Sequence, residues 1–120
     1  MNLYALFLAI VSIESGGNIN AVGDHAKAIG PAQIWAVVVN DCNANSRAHF
    51  TLDDRVSLQK SFEMFQIYTQ HYGKKFGRLT PEIAARIWNG GPDGPNKKAT
   101  LKYWKKVEVA YYKQIENEQN

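Results

Sequence analysis

The chain has 120 residues, 45% of them hydrophobic and 21% charged, which is enough to bury one core and excludes a disordered polymer. A single cysteine, Cys42, rules out an internal disulfide and any cysteine-based metal cluster. The net charge of +3 is mildly basic, with Lys97, Lys98, Lys102, Lys105 and Lys106 gathered near the last helix. That cluster reads either as a solvated helix face or as attraction to a polyanionic surface such as nucleic acid or a bacterial envelope. Aromatics are not interleaved with the lysines as a stacking platform would require, so no nucleic-acid partner is expected.

In chain order, Leu3, Leu6, Phe7, Ile10 and Val11 follow helical spacing in an uncharged run that ends at Glu14-Ser15-Gly16-Gly17-Asn18. The run is too short to span a membrane. It has no Lys or Arg before it and no small-residue cleavage site after it, so it reads as a first core helix rather than a targeting signal. Residues 16–30 are loop-like, and 34–39 fit a short buried helix or a strand. Thr51 and Asp54 resemble a capping box, followed by a long helix with Leu58, Phe62, Phe65, Thr69 and Tyr72 on one face and Gly73 at its end. Thr80-Pro81 caps a shorter helix through Ile83, Ala84 and Ile87. Gly90, Gly91, Pro92, Gly94 and Pro95 break it, and Trp104, Val107, Tyr111 and Ile115 mark the core face of a last helix whose polar end, 116–120, is expected to fray. The expectation is one mainly helical domain over residues 1–120, with no repeat or linker.

Glu14 carries the first chemical signal. A carboxyl placed against Ile10, Val11 and Ile13 loses hydration, which raises its pKa and suits it to general-acid work. The plainer alternative is a glutamate that ends a core helix with its head in water.

Three segments then occur in order: Glu14-Ser15-Gly16-Gly17-Asn18; Gly23-Asp24 followed by Ala28-Ile29-Gly30-Pro31-Ala32-Gln33-Ile34; and Ile87-Trp88-Asn89-Gly90-Gly91. Together they resemble the lysozyme-like superfamily of goose-type lysozymes and soluble lytic transglycosylases. Those families carry a Glu-Ser pair at a helix end, a Gly-Leu-Met-Gln-Ile-like turn and an Ala-Tyr-Asn-x-Gly-like segment. The likeness runs from about Leu3 to about Tyr112. It implies a mainly α, two-lobed fold with a substrate cleft and a small β-like segment near residues 20–35. The implied substrate is a β-1,4-linked aminosugar polymer, peptidoglycan or chitin-like. Glu14 matches the catalytic acid, while Ser15, Gln33, Ile34, Trp88, Asn89 and Gly90 fall in motifs that line the sugar site. On their own residues, Gln33 and Asn89 would equally stabilise turns, and Trp88 is either a stacking platform or core. Two departures stand out: Pro31-Ala32 replaces Leu-Met in the turn, and Trp88 replaces a tyrosine whose hydroxyl lies near the acid in transglycosylases.

Asp24 divides the possible reactions. Inverting hydrolysis needs a second carboxylate to orient water, whereas a lytic transglycosylase closes the sugar on its own hydroxyl. Gly23-Asp24 falls where goose-type lysozymes place a Gly-Asp pair that helps hold the water, and Trp35 replaces a further aspartate found in many of them. The local alternative for Asp24 is a turn residue. The reading adopted is a muramidase-type hydrolase with Glu14 and Asp24 as its catalytic pair. Its alternatives are a lytic transglycosylase giving 1,6-anhydro products, a chitinase, and an inactive lysozyme-like binding protein. A monomer without cofactor or metal is expected, because His25, His49 and His71 lack ligand spacing and Cys42 reads as a small buried side chain. Action at the bacterial cell wall or periplasm is expected, by a phage lysin or virion route or after removal of a leader.

Overall fold

A computed structural model describes residues 1–119; Asn120 lies outside the described residues. The elements are α1 (Leu3–Ser15), a hairpin of β1 (Val22–Gly23) and β2 (Ala28–Ile29), α2 (Ala36–Ala44), α3 (Leu58–Gly73), α4 (Pro81–Gly90) and α5 (Lys98–Gln119), with short 3-10 turns between several of them. Helix accounts for 68% of the chain, far above the ordinary third, and the hairpin supplies the small β-like segment expected near residues 20–35.

The local chemistry explains most of the boundaries. Asn2 caps α1 by accepting from the Ala5 N–H at 2.9 Å. Gly16, at φ +63°, ends it by donating to Ser12 O. Residues 34–39 resolve into the start of α2, led by Trp35 in extended conformation. The Thr51–Asp54 capping box is present, but it opens the 3-10 turn Leu52–Val56; the long helix starts two residues later under its own cap, Ser57. Thr80 caps α4 and Pro81 fills its first turn as expected. α5 runs helical through Gln119, where the Asn2 amide donates to Glu118 Oε2 at 2.7 Å; Asn120, the last residue of the polar end, lies outside the described residues.

The most extensive helix contact is α1 against α5, with α4 on α5 and α3 on α4 completing the core. Leu6, Phe7 and Ile10 of α1 are fully buried, as are Phe65 and Met64 of α3, Ile87 of α4 and Val107 of α5. The buried face of α3 is rotated from the expected one: Ser61, Met64, Phe65, Tyr68 and Thr69 face inward, while Leu58 is exposed. Aromatic rings connect the back of the molecule to its front. Phe7 lies 5.6 Å from Phe65, Phe65 5.3 Å from Trp88, and Trp88 5.8 Å from Tyr68, mostly in edge-to-face or tilted contacts. Cys42 is buried, with its thiol directed at Met64 O at 3.4 Å. Burial and the neighbouring Asp41 push that thiol up to about 12, which leaves it inert as a nucleophile.

Gly30 joins the hairpin to the rest of the molecule. Its φ is +86°, and a Cβ there would sit 1.8 Å from the Arg55 carbonyl oxygen, whereas a Cβ at Gly16 would meet nothing within 4 Å. Gly30→Ala should therefore cost about 3 kcal/mol, strain plus overpacking, and Gly16→Ala about 1 kcal/mol from strain alone. Chemical denaturation of the two variants beside the parent chain checks this, and equal losses would contradict it.

Candidate functional site

The end of α1, the hairpin, the start of α2 and the end of α4 enclose a cavity of about 230 Å³ lined by Glu14, Asp24, Gln33, Ile34, Trp35, Val37, Tyr68, Trp88, Asn89 and Gly91. A larger groove of about 450 Å³ lies beside α3, with Asp54 and Glu63 among its lining residues; Glu63 Oε2 there is buried without a hydrogen-bond partner. Asp54 accepts from the Thr51 N–H, and Glu63 lies 3.5 Å from Lys60. The smaller cavity is the one that brings together the residues of the three sequence motifs.

Glu14 is partly buried, and desolvation raises its pKa above the usual carboxylate value, with the negative charge of Asp24 adding to the rise. The source of that burial differs from the sequence reading. Ile13 is 38% exposed and turns away, so the carboxyl is covered by its tertiary neighbours rather than by its own helix face alone. One neighbour is Tyr103 of α5, whose hydroxyl donates to Glu14 Oε2 at 3.1 Å and pulls the pKa partly back down. Burial and the adjacent Glu14 hold the Tyr103 phenol well above its ordinary value, so it stays neutral and keeps its proton to donate.

Asp24 sits in the turn of the hairpin, exposed to solvent. Asp24, His25 and Ala26 all have positive φ, at 50°, 56° and 71°, a left-handed arc that is costly for non-glycine residues. Asp24 Oδ2 accepts from Trp35 Nε1 at 3.3 Å, and Lys27 Nζ lies 5.3 Å from the centre of the Trp35 ring. Trp35 thus links the carboxylate to the start of α2 while keeping 40% of its surface open. Gln33, also at positive φ (54°), holds the base of the hairpin by donating to Gly30 O at 2.9 Å and Ala21 O at 3.2 Å.

Six of the residues singled out from sequence, Glu14, Asp24, Gln33, Ile34, Trp88 and Asn89, come together in this cavity. Gln33 and Ile34 serve its frame. Ile34 is buried and pairs through its backbone with Ile29. Trp88 is both wall and core: its ring packs on Phe65 and Tyr68, and its Nε1 donates to Ala32 O at 3.3 Å. Ser15 and Gly90 do not line the cavity. The Ser15 hydroxyl is placed to donate to Pro31 O at 2.8 Å, tying α1 to the turn, and Gly90 packs beneath Thr100, whose Cγ2 would lie 2.4 Å from a Cβ there.

Three contributors were missed from sequence. Trp35 was noted only as replacing an aspartate, Tyr68 fell outside the face assigned to α3, and Tyr103 lies one residue from the expected core stripe. A second helical stripe, Tyr103, Val107, Ala110 and Gln114, would have marked Tyr103 as facing inward.

The molecule aligns with Tapes japonica lysozyme at a TM-score of 0.73 and 27% identity, over 86% of this chain and 85% of that one. It aligns equally with a chain of the complex between Aeromonas hydrophila PliI and Meretrix lusoria lysozyme, at a TM-score of 0.75 and 28% identity, over 88% and 87%. The fold is lysozyme-like. No family model matches the chain, and no curated protein matches it in sequence.

The two influences on Glu14 have opposite signs, which makes them separable. Tyr103→Phe removes a donor to the carboxylate, so the Glu14 pKa should rise. Asp24→Asn removes a like charge, so it should fall. Carboxyl-carbon NMR titration of the two variants reads this directly, and shifts in the same direction would refute the assignment.

Proposed function

We propose that this chain is a peptidoglycan-cleaving glycosidase of muramidase type, with Glu14 as the general acid. A lysozyme-like fold supports a lysozyme-related activity, and the observation that carries the reading is a pair of carboxylates in one cleft with opposite surroundings. Glu14 is desolvated and inclined to hold its proton, while Asp24 is open to solvent. A desolvated carboxyl suits a general acid, and a second carboxylate open to solvent on the same cleft can orient water.

In this reading Glu14 gives its proton to the glycosidic oxygen as the C–O bond breaks, and positive charge grows on the sugar ring. Tyr103 fixes the carboxyl's orientation from the far side and stabilises it once it is ionised. Asp24 faces the same space and orients the water that completes an inverting hydrolysis. Trp35, Trp88 and Asn89 supply flat apolar surface and an amide for an N-acetylated sugar. The motif likeness to goose-type lysozymes and soluble lytic transglycosylases supports the placement of Glu14.

A second reading is favoured by one specific observation. Transglycosylases place a tyrosine hydroxyl near the acid, and here Tyr103 brings one from α5 although Trp88 occupies the usual tyrosine position. A lytic transglycosylase would leave 1,6-anhydro ends and have no use for Asp24. An inactive binding protein would have no use for a desolvated carboxyl.

Glu14→Gln should lower cell-wall turnover by a factor of at least about 100. It should also raise the melting temperature at neutral pH. A carboxyl whose pKa is raised on folding disfavours the folded state above that pKa, and this penalty fades as pH falls through it. Unchanged lysis by a folded Glu14→Gln variant would end the proposal. Mass spectrometry and NMR of wild-type products then separate the mechanisms. Inverted reducing ends support water orientation by Asp24, retained ones make Asp24 a partner of the cationic sugar, and anhydro ends establish the transglycosylase.

A further inference from the structure

The positive charge of this molecule sits in one place. Residues 1–96 contain eight basic and eight acidic side chains and are neutral as a unit, so the whole excess of +3 lies in residues 97–120. From Lys97 to Lys106 there are five lysines and no acidic residue. Helical spacing carries Lys98, Lys102, Lys105, Val109 and Tyr112 along the solvent side of α5, with Leu101, Lys106 and Lys113 beside them. Thr100, Trp104, Val107 and Tyr111 occupy the opposite, buried side. Among the described residues no carboxylate forms an ion pair with these lysines; the three pairs present, Lys60–Glu63, Lys75–Asp93 and Arg86–Glu82, lie elsewhere.

This arrangement works against the helix that carries it. The first turn of α5 has no acidic residue. Cations at a helix N-terminus meet the positive end of the macrodipole, and lysines three and four apart repel one another. A sequence serving stability alone would place aspartate or glutamate there, as Glu82 does at the start of α4. Lys97 is engaged, donating to Gly90 O at 2.7 Å, but Lys98, Lys102, Lys105 and Lys106 break these local rules without an ion pair, which points to a use outside the folded chain.

The same face also exposes apolar side chains that the lysines do not cover: Leu101 at 42%, Val109 at 57% and Tyr112 at 55% of their surface. A soluble polyanion would need only the cations. A bilayer surface offers phosphate and, a few ångströms deeper, an apolar layer.

We propose that the outer face of α5 docks the molecule on anionic lipid bilayers. Its lysines meet the headgroup phosphates, and Leu101, Val109 and Tyr112 enter the interface without spanning it. Among the described residues no helix is long and apolar enough to cross a membrane, and the binding proposed is peripheral and reversible. The surface field attracts each lysine and is screened by salt. Docking is independent of the chemistry at Glu14.

The test is co-sedimentation of the full chain with phosphatidylcholine vesicles made with and without phosphatidylglycerol, at low and high salt. Binding is expected only with phosphatidylglycerol and should weaken with salt. Replacing Lys102, Lys105 and Lys106 together by Gln should weaken it on the order of 100-fold. Replacing Leu101, Val109 and Tyr112 together by Ser should also weaken it, while circular dichroism shows helix retained. Lys98→Glu should weaken binding and raise the melting temperature, since it relieves the conflict with the dipole. Several results would overturn the proposal: equal binding to neutral vesicles, wild-type affinity in the lysine variant, or no binding at all. If the serine variant binds like wild type, or duplex DNA is bound as tightly as the vesicles, the face recognises a polyanion and not a bilayer.

Discussion

The packing of α1 against α5 is the contact on which the site depends. Leu6, Phe7 and Ile10 of α1 share one core with Trp104, Val107 and Tyr111 of α5, and at the end of α1 Glu14 is left half-buried while Ser12 and Ile13 stay exposed. The proton affinity of Glu14 follows from burial, and the group that restrains it, Tyr103, arrives on the same packed surface, 89 residues away in sequence. A shift of α5 would therefore change hydration, hydrogen bonding and orientation of the acid together. The end of α4 is fixed to this frame as well. Arg86 donates through Nε to Thr100 Oγ1 at 2.9 Å and through a terminal amine to Lys97 O at 3.0 Å, which sets the height of Trp88 and Asn89 over the cavity.

The hairpin contributes the other half of the site by a different means. It has little core of its own, and Val22 is 64% exposed. Its conformation is imposed by polar restraints: Gln33 to two carbonyls, Ser15 to Pro31 O, and Trp35 to Asp24. Three successive left-handed residues persist because these contacts over-determine them. The two carboxylates thus rest on different kinds of support, one apolar and cooperative, the other a small set of directional bonds.

How far the sequence could be read follows the same division. Helices with apolar periodicity and clear caps, α1, α4 and α5, were legible because spacing and end signals are local. The start of α3 was misplaced because the Thr51–Asp54 box is equally good chemistry for a 3-10 turn. Glu14 and Asp24 could be nominated from their motifs, but what covers Glu14 could not, since Ile13 points outward and Tyr103 comes from the other end of the chain. Ser15 and Gly90 belong to the right motifs yet serve as fasteners behind the cavity. A short motif specifies a backbone path, and which side chains along it face the ligand is decided by packing.

One wall of the cleft is continuous with the interior. Trp88 and Tyr68 belong to an aromatic series that passes through Phe7 and Phe65, so altering them disturbs the stack that joins α1, α3 and α4. The facing wall of Asp24, Trp35 and Val37 is exposed and has no part in that stack. Sequence change around the cavity thus has an asymmetric opportunity. Exposed side chains such as Val37 can vary at small cost to folding, whereas change on the aromatic side requires several compensating changes at once.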